Sequence, residues 1–170
     1  WTHDAFRVGE DGPTHEPVEQ EAQIRLMEKL KNHHGKNSML VLRPAEAKET
    51  TVAWKMAMEN TATPTALIFS RQNITDLPEG NDYSLAERGA YIVAGSDENP
   101  DVVMVASGSE VSTLISGANL LRKDGVRCRI VSVPSEGLFR SQPKEYQESV
   151  VPAGAKVFGM TAGLPVNLQG

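Results

Sequence analysis

Ser38-Met-Leu-Val-Leu-Arg-Pro44 and Thr65-Ala-Leu-Ile-Phe-Ser-Arg-Gln-Asn73 each hold a short, continuous apolar run that ends in polar residues. Between them, Glu46 to Asn60 places Thr50, Ala53, Trp54, Ala57 and Met58 three and four residues apart, the spacing of one helix face. Strand, helix, strand with unalternating apolar strands is a βαβ unit, and such strands belong to a parallel sheet covered on both faces. The fold class is therefore α/β.

The same reading extends in both directions. Upstream, Val18, Ala22, Leu26, Met27 and Leu30 keep helical spacing, with Glu16 and Glu19 at the start and Lys29 and Lys31 near the end, as a helix dipole favours. Gly35 is the expected stop. The run Lys29, Lys31, His33, His34, Lys36 reads as the solvated end of this helix. Downstream, residues 73 to 88 are polar and hold Pro78, Gly80, Asn81 and Asp82, which marks a linker. Strands are expected at Gly89 to Ala94, Asp101 to Ala106, Val126 to Val133 and Lys156 to Met160. A helix is expected from Ser109 to Asp124, with Val111, Leu114, Ile115, Ala118 and Leu121 inward and Gly125 ending it. Short helices are expected at 135–139 and 144–150. The expected organisation is two open, mostly parallel-sheet α/β units, residues 1–73 and 89–170, joined by a linker at 74–88.

Composition narrows the function. There are 17 Lys+Arg against 22 Asp+Glu, a net charge of −5, with no basic stripe, so nucleic acid is not an expected partner. No apolar run reaches the ~18 residues of a membrane helix, so a membrane is not expected either. Cys128 is the single cysteine, in a strand-like setting, which removes an internal disulfide and a cysteine zinc site and reads as a buried structural thiol. With no signal peptide in view, the expected location is the cytoplasm. Both ends look cut, as in a piece of a longer protein.

Chemistry concentrates in three places. His3, Asp4, Glu10, Asp11 and His15 share one Gly-rich loop. Solvated surface, metal binding and sugar recognition all remain open for it: the spacing matches no compact metal motif, while imidazoles and a carboxylate can hydrogen-bond several hydroxyls and relay protons. Arg71 follows a buried strand, at the carboxyl end where open parallel sheets gather ligands. Its planar fork suits phosphate, and a salt bridge is the plain alternative. Ser107-Gly108-Ser109 joins a strand to a helix start, where backbone amides can hold phosphate and a tight turn explains the glycine equally well.

Taken in order, Thr2-His-Asp4, Gly9-Glu-Asp-Gly-Pro-Thr-His15, Leu42-Arg-Pro-Ala45, Ser70-Arg-Gln-Asn73 and Ala106-Ser-Gly-Ser-Glu-Val111 resemble transketolase over essentially the whole chain. Val133-Pro-Ser135 and Leu138-Phe139 also look like its C-terminal domain. The start departs from the family's usual pattern at Ala5-Phe-Arg-Val8, and Glu28 to Lys36 looks like an insertion that extends a surface helix. The resemblance implies the second half of the pyrimidine-binding domain, one half of a thiamine-diphosphate-binding fold, followed by a truncated C-terminal domain.

It also implies roles. His3 and Arg71 look like ligands of the sugar phosphate, Asp11 like the reader of a substrate hydroxyl, and His15 like the catalytic residue near the ketose C1 hydroxyl and carbonyl. The implied activity is transfer of a two-carbon ketol unit from a ketose phosphate to an aldose phosphate in the pentose phosphate pathway. Thiamine diphosphate with Mg²⁺ (or Ca²⁺) would supply the covalent chemistry, in a homodimer. The residues binding the diphosphate and metal are not expected in this chain, which alone should be inactive. Dihydroxyacetone synthase, or a non-catalytic substrate-binding or dimerisation subunit of a split transketolase, is the alternative reading.

Overall fold

The structure, a computed structural model, describes residues 1–6, 18–95 and 99–168. In chain order the elements are α1 (Val18–Lys29), β1 (Leu40–Leu42), α2 (Ala47–Glu59), β2 (Thr65–Leu67), a 3-10 turn (Tyr83–Arg88), β3 (Tyr91–Ala94), β4 (Val102–Ala106), α3 (Glu110–Lys123), β5 (Cys128–Ser132), α4 (Glu136–Arg140), α5 (Lys144–Val150), β6 (Val157–Met160) and a closing 3-10 turn (Pro165–Leu168).

Two sheets result. β1 and β2 pair in parallel, Leu40 opposite Thr65 and Leu42 opposite Leu67, with α2 as the crossover. That helix starts where the Glu46 carboxylate accepts from the Glu49 amide at 2.8 Å, satisfying one of the first-turn donors that have no helical partner. The second sheet has the order β3-β5-β4-β6, parallel except that β3 runs antiparallel to β5. Helix α3 packs on one face of this sheet through Val111, Leu114 and Ala118, against Val93, Met104 and Ile130. Val103, Val105, Val131 and Val133 face the other side and meet Phe139, Tyr146 and Val150. The near-continuous apolar sequences of β4 and β5 follow from that burial on both faces.

Several expectations change. Helix α1 stops at Lys29, and Gly35 (φ 73°) belongs to a tight turn closed by the Lys31–Asn37 bridge rather than to a helix end. The Glu28 to Lys36 segment is therefore not a helix extension. The side of α1 that is buried carries Glu21, Arg25 and Glu28, while Leu26, Met27 and Leu30 are exposed. On α2, Glu49 and Ala53 are buried, whereas Trp54 and Met58 stand at 51% and 77% exposure. In α3, Leu121 is also exposed at 37%, against its expected inward position. The first sheet is accordingly half-buried along β2.

Candidate functional site

The chain beyond β2 runs on through Ile68 to Ser70 and bends at Arg71 and Gln72. Trp1 to Asp4 runs beside it: the Trp1 amine donates to the Leu67 carbonyl (3.1 Å), the Phe69 amide to the Trp1 carbonyl (2.8 Å), and the Asp4 amide to the Phe69 carbonyl (3.1 Å). These bonds bring His3 and Arg71, both exposed, to the same strand end. His3 Nδ1 lies 2.9 Å from Thr2 Oγ1, and Trp1 Nε1 donates to the His3 carbonyl. Nε2 is thus the ring nitrogen available to a ligand. Asp11 and His15 lie outside the described residues.

Beneath this surface lies a charged network that sequence reasoning did not find. Asp4, 2% exposed, accepts at Oδ2 from Ser70 Oγ (2.7 Å) and from Arg43 Nη2 (2.7 Å) and Nε (3.2 Å), and at Oδ1 from the Phe6 amide (3.1 Å). Arg43 directly follows β1. Its guanidinium also donates to Glu110 at 2.5 and 3.1 Å and to the Ser107 carbonyl. Burial opposes the Arg43 charge, but Glu110, Glu21 and Asp4 outweigh it and hold the proton more firmly than usual. Burial pushes the Glu110 carboxyl up, against the lowering pull of Arg43.

The loop Ser107-Gly108-Ser109 is shaped around this guanidinium. Gly108 has φ +66°, and a Cβ there would lie 2.8 Å from Arg43 Cζ. Its glycine serves a tight turn and a close approach to arginine. Arg25 of α1 extends the network, donating to Glu21 (3.0 Å) and to Ser107 Oγ (3.1 Å), and Glu28 accepts from Ser135 Oγ (2.8 Å). Glu136 lies 3.7 Å from Arg25 Nε without a hydrogen bond, and burial raises its carboxyl. On the buried charged side of α1, Arg25 and Glu28 thus meet partners 82 and 107 residues away, and Glu21 faces Arg43, contacts that helical periodicity does not report.

A second buried carboxylate, Glu49 on α2, reaches the other sheet. It accepts from Tyr91 Oη (2.7 Å), Ser132 Oγ (2.6 Å) and the Ala45 amide (2.7 Å). Burial pushes its carboxyl above the ordinary range although these hydrogen bonds pull the other way. Among the described residues no three His, Cys, Asp or Glu side chains gather as metal ligands.

Two α/β sheets in sequence carry this site, with His3 and Arg71 beyond the end of the first and Arg43 joining it to the Ser107–Glu110 segment of the second. Residues 1–76 match the family model for the transketolase pyrimidine binding domain, and residues 89–169 that for the transketolase-like C-terminal domain. The chain belongs to the transketolase family. It is 45% identical over 155 residues to the transketolase of Staphylococcus aureus (strain MW2), covering 90% of this chain and 22% of that protein. The transketolase structure from Leishmania mexicana superposes with a TM-score of 0.86 at 39% identity, over 98% of this chain and 23% of that one. A Pichia stipitis transketolase in complex with sedoheptulose 7-phosphate gives 0.85 at 35% identity, with the same two coverages. The chain thus spans under a quarter of the length of these relatives.

Proposed function

We propose that the chain supplies the substrate-phosphate side of a transketolase active site, in an enzyme that moves a two-carbon ketol unit from a ketose phosphate to an aldose phosphate. The observation that carries this is the pairing of Trp1–Asp4 with Leu67–Phe69, which sets His3 and Arg71 at one strand end. A phosphate dianion needs cationic and hydrogen-bonding partners, which the Arg71 fork and His3 Nε2 provide. Binding energy from this remote group orients the reacting carbon without entering the chemistry. In this reading Asp11 accepts from a substrate hydroxyl, where a carboxylate rejects analogues lacking it, and His15 serves the ketose C1 hydroxyl and carbonyl, where an imidazole can hold or move a proton.

Thiamine diphosphate, when bound, would supply the covalent chemistry of ketol transfer. Its diphosphate and divalent metal would be held by residues beyond this chain, and a second subunit would complete the site. A cytoplasmic enzyme of sugar phosphate metabolism is the setting this implies.

The test is a coupled assay with thiamine diphosphate and Mg²⁺ on this chain, with and without the separately produced complementary part of a transketolase. Turnover of an aldose phosphate acceptor only in the mixture supports the proposal. Turnover by the chain alone overturns the account of where the cofactor is held. Preference for formaldehyde over the aldose phosphate points to a dihydroxyacetone synthase instead, and a stable assembly without turnover points to a non-catalytic subunit.

A further inference from the structure

Asp4 follows His3, is 2% exposed, and reaches with its carboxylate the serine that precedes Arg71. Its carboxylate joins two chain segments that are also paired by backbone bonds, Phe69 amide to Trp1 carbonyl and Asp4 amide to Phe69 carbonyl. It accepts from Ser70 Oγ at 2.7 Å, and His3 and Arg71 each lie one residue from that contact. The carboxylate cannot drift, because Arg43 donates to it through Nη2 and Nε while its remaining fork is held by Glu110 and the Ser107 carbonyl. Ser70 Oγ is also 3.1 Å from Ser109 Oγ, so the same strand end is tied to the start of α3. A mainly structural ion pair would need only Arg43 and Glu110. The further hydroxyl at Ser70 ties the two segments side by side, and the Phe6 amide bond at 3.1 Å fixes the backbone that follows His3.

We propose that Asp4, through its hydrogen bond with Ser70 and braced by Arg43, is a positioning residue for the sugar phosphate: it sets the spacing between His3 and Arg71 and transmits the fixed geometry of the second sheet to them. The proposal rests on the reading that those two residues hold the phosphate. A pair of donors matched to one phosphate loses affinity when its spacing relaxes, because the ligand must then pay for ordering it.

Ser70 is the place to test this, since removing its hydroxyl leaves every buried charge with its partner. Inorganic phosphate is titrated into the full chain and into S70A and S70T, reading the His3 imidazole and Arg71 side-chain resonances by NMR. The expected result is saturable phosphate-dependent shifts in the wild type, about tenfold weaker binding in S70A, the effect of one lost hydrogen bond, and recovery in S70T. Equal affinity in wild type and S70A, or no recovery in S70T, overturns the positioning role. Absence of any shift in the wild type overturns the phosphate reading of His3 and Arg71 itself. A second measurement uses the chain assembled with the complementary part of a transketolase: S70A should raise KM for ribose 5-phosphate about tenfold and leave KM for ribose unchanged. An equal change for both sugars would mean a merely structural role and overturn the proposal.

Discussion

Replacing Arg43 by methionine removes the one cation hydrogen-bonded to both Asp4 and Glu110 while keeping an unbranched side chain of similar length. The two carboxylates are 2% and 3% exposed, so water cannot replace the lost guanidinium. Breaking a buried ion pair from one side costs about 3–5 kcal/mol, because an uncompensated charge stays behind. For a chain of this size each kcal/mol moves the melting temperature by about 2–4 °C, so R43M should melt about 6–20 °C lower. The loss should also depend on pH with a definite sign. Without Arg43, burial raises the Glu110 carboxyl unopposed in the folded state, so the variant gains stability as pH falls toward its protonation and loses it as pH rises. The double variant R43M/E110Q, which removes one of the stranded charges, should recover part of the loss. Circular dichroism melts and urea unfolding at pH 5 and pH 7 read both effects. A melt within about 2 °C of wild type, or a deficit that does not change with pH, would refute the account of this network.

Other perturbations follow from the same packing. Because burial raises the Glu49 carboxyl above its ordinary 4.5, wild-type stability should fall relative to E49Q as pH rises from about 4.5 to 7 in urea unfolding; a pH-independent difference would contradict this. Gly108→Ala places a methyl group 2.8 Å from Arg43 Cζ at a positive φ, whereas Gly125→Ala meets open space at φ +81°. G108A should therefore destabilise clearly more than G125A, whose cost is backbone strain of about 1 kcal/mol, and equal melts would show that the close approach is not felt. Cys128 is 1% exposed with its thiol pushed up by burial, so a thiol reagent should modify it in urea and leave the native chain unmodified over the same minutes.

Much of the architecture was legible because apolar runs report burial directly. Met39 to Leu42, Ala66 to Phe69, Val102 to Ala106 and Ile130 to Val133 lie on or beside strands for that reason, and Val111, Leu114 and Ala118 mark the inner face of α3. Helix α1 shows where this logic fails. Its apolar residues Leu26, Met27 and Leu30 are exposed in this chain, while Glu21, Arg25 and Glu28 are buried against Arg43, Ser107 and Ser135. Charges are buried only where partners are ready, and those partners are distant in sequence. A signal for them was present: the three charges recur at helical spacing on α1. Arg43 directly follows β1, while Arg71 lies further on, past the Ile68–Ser70 stretch that follows β2, so a strand-end rule that drew attention to Arg71 covered Arg43 as well. The same rule yields a buried brace in the first case and an exposed group in the second, a difference made by the Ser107–Glu110 segment that closes over Arg43. The resemblance to transketolase over the whole chain, by contrast, rested on motifs in order and agrees with the family matches at 1–76 and 89–169.

The central claim is that His3 and Arg71 hold the phosphate of the sugar substrate, and the most direct measurement compares paired substrates. With the chain assembled with the complementary part of a transketolase, kcat/KM is determined for ribose 5-phosphate and for ribose in wild type, H3A and R71A. The account predicts that each variant loses about tenfold to a hundredfold toward ribose 5-phosphate, the loss of one or two charge-assisted hydrogen bonds, and leaves ribose unaffected. Equal losses toward both sugars, or none toward either, would contradict it.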